Sequence, residues 1–549
     1  MKKICLFLSS VLVFLMFNVV SNSNTYAASN PTVKIGLFYK STAQSQIDIS
    51  GDKGVSFNAY DSVANKYYPV YDSAAGEVIT IRKDSYFTNS GLKYTPVASN
   101  GNPTIGPFHI QIQKTYSTYK DALPIVQNYI KKGIAAYPVY TDSGWNIWTG
   151  FYINKAAAEK GLSDVKAKLG ENTYTVIEQV DTRIYGVDSS GQVKFMYASA
   201  KNLLRGKSLS TENPNPIKIG NTNLNSYRGQ VEFLRQTDSD MTIINVLPLE
   251  EYLYGVVPNE MPAYSHAEAL KAQTIAARTY SYKSINKHIK LGFNLCSTTD
   301  CHVYRGFASE SPITNEVIDE TKDMVLTYNG ALAETLYFSS SGGKTEAAVN
   351  VWGTEFPYLQ SVEDKYESGK YANYNWTNTY TIDEINQKLK SYNLGTVTGI
   401  EITKYSEAGR PIEIIVKGTL KPEGVVITKD RCRTFLGLPS QWYTIKTNAD
   451  IDISVNNQKI STQLSQVKVI TANGQTTYSN PDQKVTIVGA NGTSTTASTT
   501  PTEFIFTGKG WGHAVGMSQD GAMGMANAGF TFEEILTHYY TGTKIQLKQ

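Results

Sequence analysis

The sequence predicts an α+β, β-rich fold in which a split domain holds a small inserted module. Short alternating segments recur over residues 32–95 and 183–245, and this alternation is typical of strands. The 37 tyrosines favour strands as well, although a ring with a polar tip also suits sugar-stacking surfaces. Residues 108–180 between them follow the order β-α-β-β-α, which is typical of small α+β sheets.

The inserted module is predicted from four segments. Strands are expected over 108–112, 135–140 and 145–152, and an amphipathic helix over 119–132 is closed by Gly133. A boundary before the module is indicated by turn residues between 100 and 107. We therefore expect residues 30–100 and 183–549 to form one discontinuous domain and residues 108–180 to form the insert.

The first 27 residues are predicted to be an export signal. Two lysines precede an apolar run over residues 4–17, and small residues favour cleavage after Ala27. The run is short for a spanning helix, and no later segment is apolar enough to cross a bilayer. We expect a secreted protein, free outside the plasma membrane or held at the cell wall, with no transmembrane segment after cleavage.

The overall charge gives no reason to expect a nucleic-acid partner. The 549 residues include 51 Lys and Arg against 48 Asp and Glu, a formal net charge of +3. Nucleic-acid-binding domains usually carry a concentrated basic surface instead.

Glu260 is the candidate catalytic residue. It lies in Val257-Pro258-Asn259-Glu260-Met261-Pro262, among apolar neighbours and just before a predicted helix. Burial disfavours the charged form of a carboxyl group, so its proton is retained closer to neutral pH. A proton held in this way is what acid catalysis of glycosidic bond cleavage requires.

The next helix is predicted to begin at Ser265, in a Ser-x-x-Glu capping box, and to run to about residue 288. Its many alanines indicate tight burial. Gln273 and Arg278 are its unusual members. Arg278 lies either on a solvated face or in a buried clamp on a sugar group or on Glu260 itself.

Three cysteines follow the export signal, and two of them, Cys296 and Cys301, are separated by four residues. With His288 or His302 they could ligate one structural zinc ion, which leaves a fourth position unexplained. An extracellular location favours a disulfide instead. Zinc, a disulfide and free thiols all stay open, and no cofactor is required.

Two polar, glycine-rich segments are predicted to hold a glycan. The first is a turn after a strand, and the second offers a stacking ring and directional hydrogen bonds among closely spaced glycines. The first segment has no Gly-x-Ser-x-Gly elbow that would indicate a serine nucleophile. The candidate substrate-binding residues, with Gln273, are Ser340, Ser341, Gly342, Gly343, Trp511, His513 and Gln519.

These ordered segments together resemble the stage II sporulation protein D family of peptidoglycan lytic transglycosylases and amidase enhancers. The resemblance covers residues 30–100 and 183–549 and rests on motifs between Leu249 and Gln519. It implies that Glu260 is the catalytic acid and that Arg278 takes part. It also implies a Cys/His zinc site of the kind some members carry.

Two positions depart from the family pattern. Ala514 stands where glycine is usual, and we expect it to narrow the groove slightly. Asp300-Cys301-His302 replaces the usual His-Cys-Gln order, which leaves the third metal ligand open.

The insert resembles the SPOR domain, a family that binds septal or denuded peptidoglycan glycans. The resemblance rests on the strand at 108–112, the helix with Ala122, Trp148-Thr149-Gly150-Phe151 and the alanine-rich helix after it.

The two resemblances imply an exported lytic transglycosylase that cleaves the MurNAc–GlcNAc bond and leaves 1,6-anhydro-MurNAc ends. The alternative is a non-catalytic wall protein that binds glycan strands and enhances an N-acetylmuramoyl-L-alanine amidase. An ordinary two-carboxylate hydrolase would need a second acid, such as Asp364, near Glu260.

Overall fold

The computed structural model describes residues 31–548 except 171–172, 371–373, 456–457, 464–466, 472–473, 478–483, 489–491, 493 and 499. The predicted export signal lies outside these residues. No helix in the described part of the chain has the length and apolar character needed to cross a membrane.

The structure confirms an α+β, β-rich fold. The strands up to residue 248 are β1 Thr32–Phe38, β2 Gln46–Ser50, β3 Val55–Asp61, β4 Lys66–Asp72, β5 Ile79–Lys83, β6 Phe87–Ser90, β7 Lys93–Pro96, β8 Phe108–Tyr116, β9 Ala136–Thr141, β10 Gly144–Tyr152, β11 Tyr174–Ile177, β12 Ile184–Val187, β13 Val193–Tyr197, β14 Leu203–Ser208, β15 Ile217–Gly220, β16 Asn225–Tyr227, β17 Gln230–Arg235 and β18 Met241–Pro248. The helices among them are α1 Tyr119–Lys131 and α2 Lys155–Leu169.

Helices are more frequent in the second half. They are α3 Leu249–Tyr254, α4 Val257–Glu260, α5 Ala267–Lys283, α6 Pro312–Glu320, α7 Ala348–Trp352, α8 Ile382–Lys388, α9 Arg431–Thr434, α10 Gln519–Asn527 and α11 Phe532–Tyr539. The strands are β19 Leu295–Cys296, β20 Met324–Tyr328, β21 Ala331–Leu332, β22 Tyr337–Phe338, β23 Asn375–Thr381, β24 Val397–Tyr405, β25 Pro411–Gly418, β26 Lys421–Thr428, β27 Tyr443–Thr447, β28 Asp450–Val455, β29 Gln458–Gln463, β30 Lys468–Thr471, β31 Gly474–Thr477, β32 Lys484–Val488, β33 Ser494–Ser498, β34 Glu503–Lys509, β35 Met517–Ser518 and β36 Lys544–Leu547.

Two large sheets join strands from both sides of the predicted insert. One has seven strands in the order β19-β1-β18-β17-β14-β3-β4. The other has ten, in the order β11-β8-β10-β9-β13-β12-β5-β2-β15-β16. The insert's strands continue the second sheet, because β9 pairs in parallel with β13.

The central helix, α5, is buried along most of its length. Its alanines allow close packing against α10, α11 and β20, as the sequence predicts. The predicted start is wrong, because the N-cap is His266, whose Nδ1 accepts a hydrogen bond from the Glu268 N–H. The helix also ends at Lys283 rather than near residue 288.

A second hydrophobic core lies within residues 376–506. It is formed by strands β23–β27 and β34 with helices α8 and α9, and is separate from the core under the two large sheets. The prediction of one domain over 183–549 did not distinguish this core. Strands β34 and β35 lead from it back to α10 and the site described next.

Candidate active site around Glu260

Glu260 ends the short helix α4, and its side chain is half-buried. Its Oε1 accepts a 2.9 Å hydrogen bond from the Val303 N–H. Burial raises the pKa of Glu260, while the Val303 N–H and the Gln519 side chain act in the opposite direction. Burial is the largest of these effects, so Glu260 keeps its proton to higher pH than an exposed glutamate does, as the sequence predicts.

An aromatic layer surrounds the carboxyl group. The His302 ring stacks on the Tyr337 ring, with centroids 6.0 Å apart, and its Nδ1 lies 3.1 Å from the Tyr252 hydroxyl. Burial lowers the pKa of His302 to about 3, so this ring is neutral. Among the described residues no cation forms an ion pair with Glu260, so only the two hydrogen bonds from Val303 and Gln519 act against burial.

Gln519 connects Glu260 to the central helix. It is the first residue of α10, donates to Glu260, and its Nε2 lies 3.4 Å from Oε1 of Gln273. Gln273 is fully buried, and its Nε2 is without a hydrogen-bond partner in the described part of the protein. The structure therefore brings the predicted residues Gln273 and Gln519 together with Glu260.

The two glycine-rich segments lie directly against each other. Ser340 and Trp511 exchange both backbone hydrogen bonds, at 3.1 and 2.8 Å. Gly510 has φ +79°, and a Cβ there would lie 2.8 Å from the Ser340 carbonyl oxygen, so the close approach requires glycine. The Trp511 side chain is 39% exposed, which leaves a ring face available for stacking.

The serine hydroxyls are less available than the sequence suggests. Ser340 and Ser341 are each 1% exposed, and Ser341 Oγ accepts a hydrogen bond from the Gly343 N–H. Gly342 lies against Lys509, and Gly343, like Gly342, has positive φ. This loop therefore contacts its neighbours through its backbone, and its serine hydroxyls are not exposed.

Glu367 connects this loop to the start of α10. No sequence motif around Glu367 indicates this role. Its Oε1 accepts hydrogen bonds from the Ser341 N–H and from Ser518 Oγ, the latter at 2.8 Å. Ser518 is the N-cap of α10 and directly precedes Gln519. A single carboxylate thus positions both the serine loop and the residue that donates to Glu260.

His513 has a packing role in the structure. Its ring lies against Phe338 and Trp352, with centroid distances of 5.4 and 5.1 Å. Its Nδ1 accepts a hydrogen bond from the Val515 N–H, the ring also bonds the Tyr337 backbone, and burial lowers its pKa to about 4. These partners lie within the protein, and hydrogen bonds from His513 to a glycan stay a prediction.

Ala514 does not narrow a groove, because it is only 2% exposed. Its φ is +66°, in the left-handed region, where a side chain with a Cβ is disfavoured. The preference for glycine at this position is therefore a backbone requirement.

Arg278 forms a buried ion pair away from the carboxyl group. Its Nε and one terminal nitrogen donate to the two oxygens of Glu250, at 2.8 and 2.7 Å. The remaining donors contact Thr321 and the carbonyl oxygens of Ile318 and Met324. Two of the alternatives left open for Arg278 are wrong: its side chain is fully buried and not on a solvated face, and its carboxylate partner is Glu250 and not Glu260.

Four possible metal ligands converge beside the site. The ligand atoms of His288, Cys296, Asp300 and Cys301 all lie within 4.8 Å of one another. His302 is not one of them, because it faces Tyr252 and Tyr337. Asp300, which sequence reasoning passed over although it lies between the two cysteines, supplies the fourth group.

The donor chemistry of this cluster fits zinc. Cys301 Sγ lies 3.3 Å and Asp300 Oδ2 lies 3.2 Å from His288 Nε2, separations compatible with ligands around one tetrahedral ion. Both cysteines are free thiols, and the hydrogen bond from Cys301 lowers the pKa of Cys296 to about 4. A thiolate is the form that binds metal.

Asp364 belongs to a separate group of buried carboxylates. Its Oδ1 accepts a 2.8 Å hydrogen bond from the Tyr539 hydroxyl, and its backbone N–H donates to the Gly343 carbonyl oxygen. Burial and the neighbouring Glu367 raise its pKa to about 7. It is not among the groups that shift the pKa of Glu260, so the structure gives no support to a two-carboxylate pair.

The fold and this site define a protein in which the half-buried carboxyl group of Glu260 lies beside aromatic and amide side chains. A family model described as "Stage II sporulation protein" matches residues 237–328, which include Glu260, α5 and the cysteine cluster.

Curated relatives extend the match. The chain is 33% identical to the "Amidase enhancer" of Bacillus subtilis over 300 residues, covering 53% of this chain and 40% of that protein. It is 31% identical to an uncharacterised protein of Brachyspira hyodysenteriae over 325 residues, covering 58% and 72%. It is 30% identical to "Stage II sporulation protein D" of Bacillus subtilis over 315 residues, covering 54% and 74%. The chain belongs to the stage II sporulation protein D family.

Proposed function

We propose that this protein acts on the cell wall as an exported lytic transglycosylase, with Glu260 as acid and then base. The observation that carries the proposal is the environment of Glu260, in which burial raises the pKa and no neighbouring cation reverses the effect. The protonated carboxyl group gives its proton to the glycosidic oxygen. The C6 hydroxyl of MurNAc then attacks C1 and returns a proton to the carboxylate.

One carboxyl group suffices for this reaction, because no external water needs a second base. Ordinary glycosidases use two carboxylates on either side of the bond. The absence of carboxylate influence on Glu260 among the described residues supports the single-acid route. Trp511 is a stacking surface for a sugar ring, and Gln519 orients the acid.

A test uses purified protein and denuded glycan strands, with the products analysed by mass spectrometry. Anhydro-ended products, lighter by one water than hydrolysis products, support the proposal. Reducing ends would indicate a hydrolase. Glu260→Gln is expected to reduce turnover by about 10²- to 10⁴-fold while binding is retained.

Glu251→Gln is the matched control. Glu251, in α3, is also half-buried, and burial raises its pKa as well. Unlike Glu260, it lies near a cation, Arg228. Its replacement is expected to leave turnover unchanged. Equal turnover of the Glu260 variant and the wild type would refute the assignment.

The similarity to a protein named amidase enhancer supports a second candidate function. In that role the chain binds glycan strands and stimulates a cell-wall amidase without cleaving the glycan. Retained glycan binding and amidase stimulation by the Glu260→Gln variant, with no anhydro product from the wild type, would favour it.

We also propose a structural zinc ion held by His288, Cys296, Asp300 and Cys301. When bound, the ion would cross-link the turn after α5, strand β19 and the loop that leads to Val303. Glycosidic cleavage by Glu260 needs no Lewis acid from this ion. The segment 108–180 is proposed to be a glycan-binding part of the same protein.

A further inference from the structure

A cleft of about 800 Å³ lies between strand β4, the start of α1 and the turn that joins β9 to β10. None of the residues described around Glu260 lines it. Its walls come from both the split region and the insert. Five of its lining residues are aromatic: Tyr68, Tyr71, Tyr119, Tyr140 and Trp145.

We propose that this cleft is a second binding site for a saccharide strand. The inference rests on the proposed function, in which the substrate is a glycan strand. It adds a second binding surface for that strand, away from Glu260. A saccharide presents apolar ring faces and hydroxyl groups. The aromatic rings of tyrosine and tryptophan stack on the apolar faces, and their O–H and N–H groups form hydrogen bonds with the hydroxyls. A cleft of this volume accommodates a ligand larger than one sugar ring.

The aromatic wall is preorganised. The Tyr119 ring packs in T-shaped arrangements with the rings of Tyr71 and Trp145, with centroids 5.8 and 5.2 Å apart. Tyr140 stacks on Tyr197 with an interplanar angle of 1°. Held in this way, the rings lose little freedom when a ligand binds. Tyr68, by contrast, is 41% exposed and forms the accessible face.

The charges of the cleft favour a sugar over a phosphorylated ligand. Its lining holds the carboxylates of Asp72 and Asp142 but only one cation, Lys120. Asp142 already accepts hydrogen bonds from the Ser199 hydroxyl and the Ala200 N–H. Phosphate groups are usually held by arginine or by several cations, which this lining lacks. The single lysine suits an occasional carboxylate along a glycan.

The cleft and the acid lie toward opposite edges of one sheet. Strands β4 and β19 are the two edge strands of the seven-stranded sheet, and six strand spacings separate them by roughly 29 Å. Glu260 lies near the β19 edge, because Cys296 of β19 clusters with Cys301 and the Val303 N–H, two residues later, donates to Glu260. Only a polymer can reach both sites at once, and simultaneous contact raises its apparent affinity.

The test measures binding without cleavage, in the full chain carrying Glu260→Gln. Long denuded glycan strands are the probe. Adding Tyr68→Ala is expected to weaken their binding about three- to tenfold. Tyr405→Ala is the matched control, because Tyr405 is 55% exposed and lies on β24, outside the cleft. The affinity of the Tyr405→Ala variant for glycan strands is expected to stay unchanged.

A diazirine-labelled N-acetylglucosamine oligomer then locates the site. Cross-links in the peptides covering 66–72 or 117–145 support the inference. Unchanged affinity in the Tyr68 variant, cross-links confined to other segments, or binding of a free stem peptide in place of the sugar would overturn it. If the wild type forms no anhydro products but these cross-links are observed, the enzymatic proposal alone is contradicted.

Discussion

The backbone N–H of Val303 donates a 2.9 Å hydrogen bond to Oε1 of Glu260. Val303 is two residues after Cys301, which belongs to the cluster of possible metal ligands. The acid is therefore held by a loop that also carries a residue of that cluster. Gln519, at the start of α10, provides a second hydrogen bond to Glu260.

Replacing Gln519 is expected to shift the pH dependence of cleavage. Its hydrogen bond stabilises the carboxylate, so Gln519→Leu removes an effect that lowers the pKa of Glu260. The acid then stays protonated to higher pH, and the alkaline limb of the pH–rate profile moves upward. The profile of anhydro product formation between pH 5 and pH 9 measures this.

Gln127→Leu, on the exposed side of α1, is the control for that change. It should leave the profile in place. A downward shift of the alkaline limb in the Gln519 variant would contradict the described role of its side chain.

Removing metal is expected to destabilise the protein and slow cleavage. The cluster joins β19 to the loop that carries Val303, so metal loss frees the donor that holds Glu260. Protein purified without chelator should contain about one zinc per chain by elemental analysis, as a single four-ligand site requires. Asp300→Ala and Cys296→Ser should both lower this content and the melting temperature.

Thiol titration distinguishes a zinc site from a disulfide between Cys296 and Cys301. Cys296 and Cys301 should react as free thiols after unfolding in chelator. Two unreactive cysteines, with a mass lower by two hydrogens, would instead indicate a disulfide and exclude the zinc proposal. His302→Asn is the control for the ligand set, because His302 lies outside the cluster.

Arg278 is expected to affect stability rather than chemistry. Arg278→Met leaves Glu250 buried without its bidentate partner, and loss of one member of a buried ion pair typically costs about 3–5 kcal/mol. The double variant Arg278→Met with Glu250→Leu removes both charges and should recover much of the free energy of unfolding. Urea unfolding and cleavage assays are run on all three proteins.

The double variant distinguishes the two roles of Arg278. If the arginine only supports the fold, the repacked protein cleaves glycan at a rate near that of the wild type. A stable double variant without activity would restore the catalytic role that the family resemblance implies.

Sequence patterns were most informative where a local rule fixes the structure. The helix predicted over 119–132 is observed as Tyr119–Lys131, and Gly133 after it has positive φ. The apolar setting of Glu260 also correctly indicated the direction of its pKa shift. In both cases the deciding residues lie within a few positions of each other.

Long-range contacts were what the sequence could not supply. Glu250 pairs with Arg278 across 28 positions. Glu367 bonds to Ser341 across 26 positions and to Ser518 across 151. His302 was one of two histidines considered as a metal ligand, yet folding turns its ring toward Tyr337 and places His288 in the cluster. Side-chain direction and partner choice in such cases follow from tertiary packing, which spacing alone does not encode.

Asp364 is expected to make stability fall as pH rises. Its ordinary pKa of 3.8 is raised to about 7 in the folded protein by burial and by Glu367. Between these values the folded chain holds a proton that the unfolded chain releases, so the stabilisation is present at low pH and is lost as pH increases through 7. The effect amounts to at most ~4 kcal/mol.

Asp364→Asn should remove this dependence, because an amide does not titrate. The stability of the variant relative to its parent is expected to increase steadily from about pH 4 to pH 7, and the full difference is expected at pH 8. Both carry Glu260→Gln, since the raised pKa of Glu260 would add a slope of the same sign. Urea unfolding across this range measures the difference, with exposed Asp383→Asn as control. Parallel curves for Asp364→Asn and its parent would show that Asp364 is ionised in the fold throughout.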